Sequence, residues 1–202
     1  MPISIQKHTT DKIIRESLKI KLIETYKNDS HIKIIDELGV DHGTNRVDIA
    51  VVNGFIHGYE IKSDKDTLLR LPDQMTAYNS IFDKVTLVVG KTHLLEALNI
   101  IPDWWGIILA KPSEDGSVVF NTIREAYKNS EQDELSMAKL LWRNEALNIL
   151  EKRNAAKGLR SKPRRFIYEK LATILDKETL GNEIRNTFLF SRPGWRADLV
   201  SL

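Results

Sequence analysis

Apolar positions recur at helical spacing from about Thr10 to Tyr26, where Ile13, Ile14, Leu18, Leu22, Ile23 and Tyr26 line up behind a capping Thr10. The pattern then shortens to β-branched, alternating runs at 31–38, 47–52 and 55–61, with Asn53-Gly54 marking a hairpin between the last two. Helical spacing returns over 72–81, followed by an apolar strand at 85–89, a short helix at 94–98 and another apolar strand at 105–110. This order, α-β-β-β-α-β-α-β, predicts an α/β fold with a mixed β-sheet flanked by helices. Beyond Lys111-Pro112 the pattern predicts an edge hairpin through 118–120, a polar stretch at 128–133, and helices near 135–151, 163–175 and 179–190. The polar stretch suggests two parts, a core at 1–127 and a helical C-terminal region at 128–202.

Charges interrupt the apolar strands at a few positions. In the window from Arg46 to Asp64, strand alternation places Glu60 and Lys62 on one face, with Tyr59 and Ile61 on the other. Whether Asp48 joins them depends on the hairpin: an even loop puts Asp48 and Glu60 on opposite faces, an odd one on the same face. A three-residue loop, Val52-Asn53-Gly54, is favoured because Gly54 then takes the left-handed position of a turn closed by a bulge. In that register Asp48 lies opposite Gly58, Glu60 is its diagonal neighbour, and the missing side chain at Gly58 leaves room for an ion. Two carboxylates beside one lysine, without a further counter-cation, suit a hard divalent cation and a phosphodiester substrate.

These residues resemble a known family. Asp48 followed by Glu60-Ile61-Lys62 on the next strand resembles the D…(D/E)-x-K core of the PD-(D/E)XK nuclease superfamily, and Gln74-x-x-x-Tyr78 looks like the helix motif of its exonuclease-type branch. Arg46-x-Asp48, Glu60-Ile61-Lys62-Ser63-Asp64, Asp66-Thr67-Leu68-x-Arg70-Leu71 and Phe82-Asp83-Lys84-Val85-x-Leu87-Val88-Val89 together resemble a small bacterial and phage branch of nuclease-like proteins, over about residues 12–110. The proline that commonly precedes the first acid is replaced by Val47.

The resemblance implies a restriction-endonuclease-like sheet and a metal-dependent phosphodiester hydrolase acting on DNA. Asp48, Glu60 and the Ile61 carbonyl would hold Mg²⁺ or Mn²⁺, and Glu37 matches an additional upstream acid. Lys62 would hold or activate the attacking water. Gln74 and Tyr78, four apart on one helix, would position the scissile strand, and Arg70 would extend their stripe if the helix begins before Pro72. The competing reading is a non-catalytic adaptor or inhibitor that reuses the fold to bind nucleic acid or protein.

Composition narrows the chemistry further. The 202 residues are 42% hydrophobic and 29% charged, an ordinary globular balance, and contain no cysteine, so any metal must sit on oxygen or imidazole. The start of the chain has no apolar leader and no window approaches a membrane span, which leads to the expectation of a cytoplasmic protein without a membrane partner. The net charge of +2 conceals a split: residues 139–170 carry ten basic and three acidic side chains, leaving the remainder acidic. Within this stretch a helix, a basic turn with Arg160, Lys162, Arg164 and Arg165, and a second helix resemble the SAP-type DNA-binding module. Those four cations are candidates for contacts to nucleic-acid phosphates. By analogy with twofold duplex substrates, a homodimer or protein partner fits the same reading.

Overall fold

A computed structural model describes residues 8–192, so the chain start and the residues from 193 onward, including the end of the expected C-terminal region, lie outside the described residues. Helix α1 (Asp11–Thr25) begins where Thr10 accepts the Ile13 N–H, and it buries Ile14, Leu18 and Leu22. Six strands follow: β1 (Lys33–Val40), β2 (Asn45–Val52), β3 (Ile56–Lys62), β4 (Lys84–Gly90), β5 (Gly106–Pro112) and β6 (Val118–Arg124). They form one sheet in sequence order. The pairs β1·β2, β2·β3 and β5·β6 are antiparallel, while β3·β4 and β4·β5 are parallel. The parallel steps carry the crossover helices α2 (Leu71–Asn79) and α3 (Leu94–Ile100). Residues 85–89 are all buried, which explains why they read as one apolar run instead of an alternating one.

Apolar clusters cover both faces of the sheet. Helix α1 packs Ile14, Leu18 and Leu22 with Ile49, Val51, Tyr59, Ile61 and Val88. On the other face Val52, Val85, Leu87 and Phe82 share a cluster with Leu147, Leu171, Ile184 and Phe188 of the C-terminal region, whose helices are α4 (Glu134–Ala138), α5 (Arg143–Lys152), α6 (Arg164–Ile174) and α7 (Lys177–Asn186). The architecture is therefore a mixed six-stranded sheet flanked by helices, with a helical C-terminal region. Among the described residues no helix is long and apolar enough to cross a membrane.

Three details differ from the sequence expectation. The polar stretch 128–133, expected as a boundary between two parts, is a hydrogen-bonded seam: the Asn129 N–H donates to the Asp83 carbonyl at 2.8 Å, Gln132 Nε2 to the Ile81 carbonyl at 2.8 Å, and the Asp133 N–H to the Ser80 carbonyl at 3.0 Å. These bonds satisfy the backbone between α2 and β4, and the apolar cluster runs unbroken across the seam. The single helix expected at 135–151 is two, because the Glu145 carboxylate takes the Trp142 N–H at 2.6 Å and starts α5 afresh. Finally, the hairpin loop comprises residues 53–55, with Val52 opposite Ile56 and Ala50 opposite Gly58. The odd length is as expected, but the loop lies one residue later and Gly54 does not take the expected left-handed conformation, so the register moves Asp48 away from Gly58. A side chain at Gly58 would meet Phe82 at 3.2 Å and Val47 at 3.3 Å, so this glycine admits the Phe82 ring and leaves no space for an ion.

Candidate active site

The β2·β3 ladder ends at the Ile49–Tyr59 pair, and the same register continued one step sets Asp48 across from Glu60. Both β1 and β2 change facing at this point. Inward-facing positions are three apart in each, Ile35 to Leu38 and Val47 to Ala50, so each strand takes one extra residue, and Glu37 adopts a φ of 50°. Because the extra residues lie opposite one another, the β1·β2 register survives on both sides, at Asp36–Ile49 and Leu38–Val47. The local irregularity re-aims the Asp48 side chain. Its Oδ2 accepts the Ile61 N–H at 2.7 Å, filling the gap where the two strands part.

Glu60 and Lys62 share the opposite face from Ile61, as pleating requires, and both are buried. Lys62 Nζ donates to Glu60 Oε1 at 2.7 Å, with side-chain exposures of 7% and 3%. A buried ion pair is costly unless its remaining lone pairs are satisfied. Helix α2 supplies what is missing: Gln74 Nε2 donates to Glu60 Oε1 at 2.6 Å, and the Tyr78 hydroxyl lies 2.8 Å from Glu60 Oε2. That hydroxyl is also 2.7 Å from the Arg46 carbonyl, so one proton serves two acceptors. Gln74 Oε1 is buried and has no partner among the described residues. Burial and the neighbouring Glu60 push the Tyr78 hydroxyl well above the ordinary phenol range.

The structure adds a residue that the sequence reading missed. Arg15 of α1 reaches across with Nη2 on Asp48 Oδ1 at 2.6 Å and Nη1 on the Asp48 carbonyl at 3.1 Å, while Nε and Nη2 also hold Asp11 at 3.1–3.3 Å. The expectation that Lys62 is the sole cation beside the two acids is therefore corrected. Burial raises the Asp48 carboxyl to about 7, with repulsion from Glu60 adding to it and Arg15 and the Ile61 N–H opposing it. Asp48 and Glu60 lie close enough to repel one another, and the groups they offer are oxygens. That combination, with an orphaned amide oxygen nearby, fits a hard divalent cation on Asp48, Glu60 and the Ile61 carbonyl.

The other sequence candidates fall into two groups. Glu37 pairs with Arg46 at 3.0 Å, half exposed. Among the described residues no three His, Cys, Asp or Glu side chains form a cluster able to hold a metal, so Glu37 is not a third acid converging with Asp48 and Glu60. Its strand changes facing at just this residue and carries it outward. Arg70 is exposed at the cap of α2, and its carbonyl accepts the Gln74 N–H at 3.1 Å, so it does stand one turn ahead of Gln74.

The four basic candidates lie on and around the α5–α6 turn, which borders a depression of about 460 Å³ lined by Asn154, Lys157, Gly158, Arg160 and Ser161. Arg160 pairs with Glu151 at 3.0 Å and Arg165 with Glu169 at 2.6 Å. Lys162 and Arg164 are exposed and form no ion pair among the described residues. The turn itself is held by Arg143, whose guanidinium binds the carbonyls of Arg160 and Lys162. Lys139, at the near end of the same stretch, binds Asp41 at 2.9 Å. This ties the helical region to the β1–β2 turn, five residues from Arg46.

Protein cII of Enterobacteria phage P4 is 32% identical over 143 residues, which are 69% of this chain and 54% of that protein, so the chain spans about half the length of the curated relative it matches. A solved protein of unknown function from Silicibacter pomeroyi, 14% identical, covers 81% of this chain and all of its own with a TM-score of 0.40. The sequence profile of the bacteriophage P4 protein cII family matches residues 8–191, and the chain belongs to that family.

Proposed function

We propose that this protein is a divalent-metal-dependent nuclease of the PD-(D/E)XK type that hydrolyses phosphodiester bonds in DNA in the cytoplasm. The observation that supports it is the opposition of Asp48 and Glu60 where β2 and β3 part, with Lys62 buried beside them. Charges interrupting two neighbouring core strands where they part call for a ligand that needs them. In this reading Asp48, Glu60 and the Ile61 carbonyl hold Mg²⁺ or Mn²⁺. The cation, when bound, neutralises charge on the phosphate and acidifies the attacking water. Lys62 Nζ orients that water and offsets negative charge as phosphorus becomes five-coordinate. Water oxygen bonds to phosphorus, the bond to the leaving oxygen breaks, and that oxygen departs with a proton. Gln74 and Tyr78 fix the Glu60 carboxylate, and the free Gln74 Oε1 accepts a donor from the incoming nucleotide or water. Exposed Lys162 and Arg164 hold the DNA backbone through phosphates, giving salt-dependent affinity with little sequence choice.

The test is degradation of single- and double-stranded DNA with Mg²⁺ or Mn²⁺ by the wild type, Asp48→Ala and Lys62→Ala. Losses of about a hundredfold or more are expected for both variants. Equal activity in all three proteins refutes the proposal. One observation favours a second reading, a non-catalytic adaptor: all four carboxylate oxygens of Asp48 and Glu60 accept a hydrogen bond from the protein itself. Under that reading Mn²⁺ gives no binding heat while DNA is still retained at moderate salt.

A further inference from the structure

The saturation of those oxygens has a weak point. Asp48 Oδ2 is held by a backbone N–H within the sheet, and the Glu60 oxygens by buried Lys62, Gln74 and Tyr78. Asp48 Oδ1 is held by a side chain from a different element, the 22%-exposed Arg15 of α1. Arg15 is also the one cation of the site with a second carboxylate already in hand, because Asp11, one helical turn earlier and 42% exposed, takes Nε and Nη2 together. Release of Asp48 therefore leaves the guanidinium paired and close to solvent instead of buried and alone. A planar guanidinium with donors in a fork suits two acceptor geometries, a carboxylate and a phosphate.

We propose that Arg15 is the exchangeable counter-ion of this site: it holds Asp48 in the metal-free protein and transfers to a phosphate of the nucleic acid as a divalent cation takes Asp48 Oδ1. The inference rests on the metal-site reading above and gives it a coupling. Cation and phosphate each remove one partner of the Arg15–Asp48 pair, so each makes room for the other, and by linkage the help is mutual. Lys62 cannot play this part, since its only acid among the described residues is Glu60 and both are enclosed.

The experiment is calorimetric titration of Mn²⁺ into the full chain, wild type, Arg15→Gln, Arg15→Lys, Asp11→Asn and Asp48→Ala, each with and without thymidine 5′-monophosphate, which carries the phosphate and cannot be cleaved. Without nucleotide, Arg15→Gln and Arg15→Lys bind Mn²⁺ about tenfold more tightly than the wild type, as loss of one charge-assisted bond predicts. The lysine keeps the charge and lacks the fork, so tightening there identifies direct competition for Oδ1 and not a general field. Asp11→Asn shifts the affinity the other way, since the displaced guanidinium then has nowhere to go. The nucleotide strengthens Mn²⁺ binding in the wild type and has no such effect in Arg15→Gln. Arg15→Lys and Arg15→Gln no tighter than wild type, with Asp48→Ala abolishing binding, overturns the exchange and leaves the metal site standing. Mn²⁺ binding that is absent, or indifferent to Asp48→Ala, removes the metal site and the exchange with it. Should the Arg15 variants fail to fold, an unchanged affinity in Asp11→Asn is the refuting result.

Discussion

The parting strands and the α5–α6 turn use the same residue types in opposite ways. At the site Lys62 is 7% exposed, and it meets Glu60 inside a shell of side chains from β3 and α2. On the turn Arg160 is 79% exposed in its pair with Glu151, and Lys162 and Arg164 have no ion-pair partner among the described residues. An exposed pair contributes about 0–1 kcal/mol, whereas breaking a buried one costs about 3–5 kcal/mol, because the survivor is stranded in low dielectric. The difference separates charges held in a fixed, buried geometry from charges left to solvent.

The sharpest way to break this contrast is to strand Glu60. Lys62→Met is expected to lower unfolding free energy by about 3–5 kcal/mol, and Glu60→Gln in the same chain to restore much of it. Urea unfolding midpoints check both. A single variant no worse than the double would mean that the Lys62–Glu60 pair is not energetically coupled.

The opposite face of β3 offers a second test. His57, partly buried, lies 2.8 Å from Thr86 Oγ1 through Nε2, and burial, aided by Lys84, holds its imidazole down to about 3. The unfolded chain takes up a proton below about pH 6.5 and the folded one does not. Stability conferred by the neutral ring is therefore complete above that pH and declines as pH falls towards the folded value, by at most about 1.4 kcal/mol per unit. His57→Gln, which does not titrate, is expected to lose less stability than the wild type between neutrality and about pH 5. Parallel losses in the two proteins would show that His57 is protonated in the fold.

A smaller effect, about 1–3 kcal/mol, is expected for Gly58→Ala, whose new methyl presses on Phe82 and Val47 in a packed interior. Thermal unfolding measures it. A neutral outcome would mean that the Phe82 ring gives way, and with it the reason for glycine at this position.

The fold was readable because its elements declare themselves by period: α1 by its three- and four-residue spacing, β4 by a β-branched, nearly all-apolar run, and the β2–β3 hairpin by Asn53-Gly54. The site was partly readable, since Glu60 and Lys62 must share a face, and an odd loop adds Asp48. What stayed hidden depends on contacts between distant segments. A loop one residue later moves Asp48 from Gly58 to Glu60, and in it Gly54 does not take the left-handed conformation that the earlier register called for. Arg15 looks like any i, i+4 partner of Asp11 until β2 is seen beneath α1. The break before α5 has no Pro or Gly to announce it, only a glutamate placed to cap. Glu37 matched the position of an acid, yet the extra residue that turns Asp48 toward Ile61 also takes Glu37 to Arg46.

The least effect on folding is expected where the effect on binding is distinctive. Lys162→Ala and Arg164→Ala remove exposed cations without an ion-pair partner among the described residues, so stability should stay within about 0.5 kcal/mol of the wild type. If the turn holds a DNA backbone, each change weakens binding by a similar factor on unrelated sequences and lowers the slope of log affinity against log salt by about one. Arg160→Ala and Arg165→Ala should do less, since Glu151 and Glu169 already draw on those charges. Fluorescence anisotropy of a labelled oligonucleotide over a salt series gives the slopes. Four equal slopes, unchanged from the wild type, would remove the turn from the DNA interface and leave the buried site to account for binding alone.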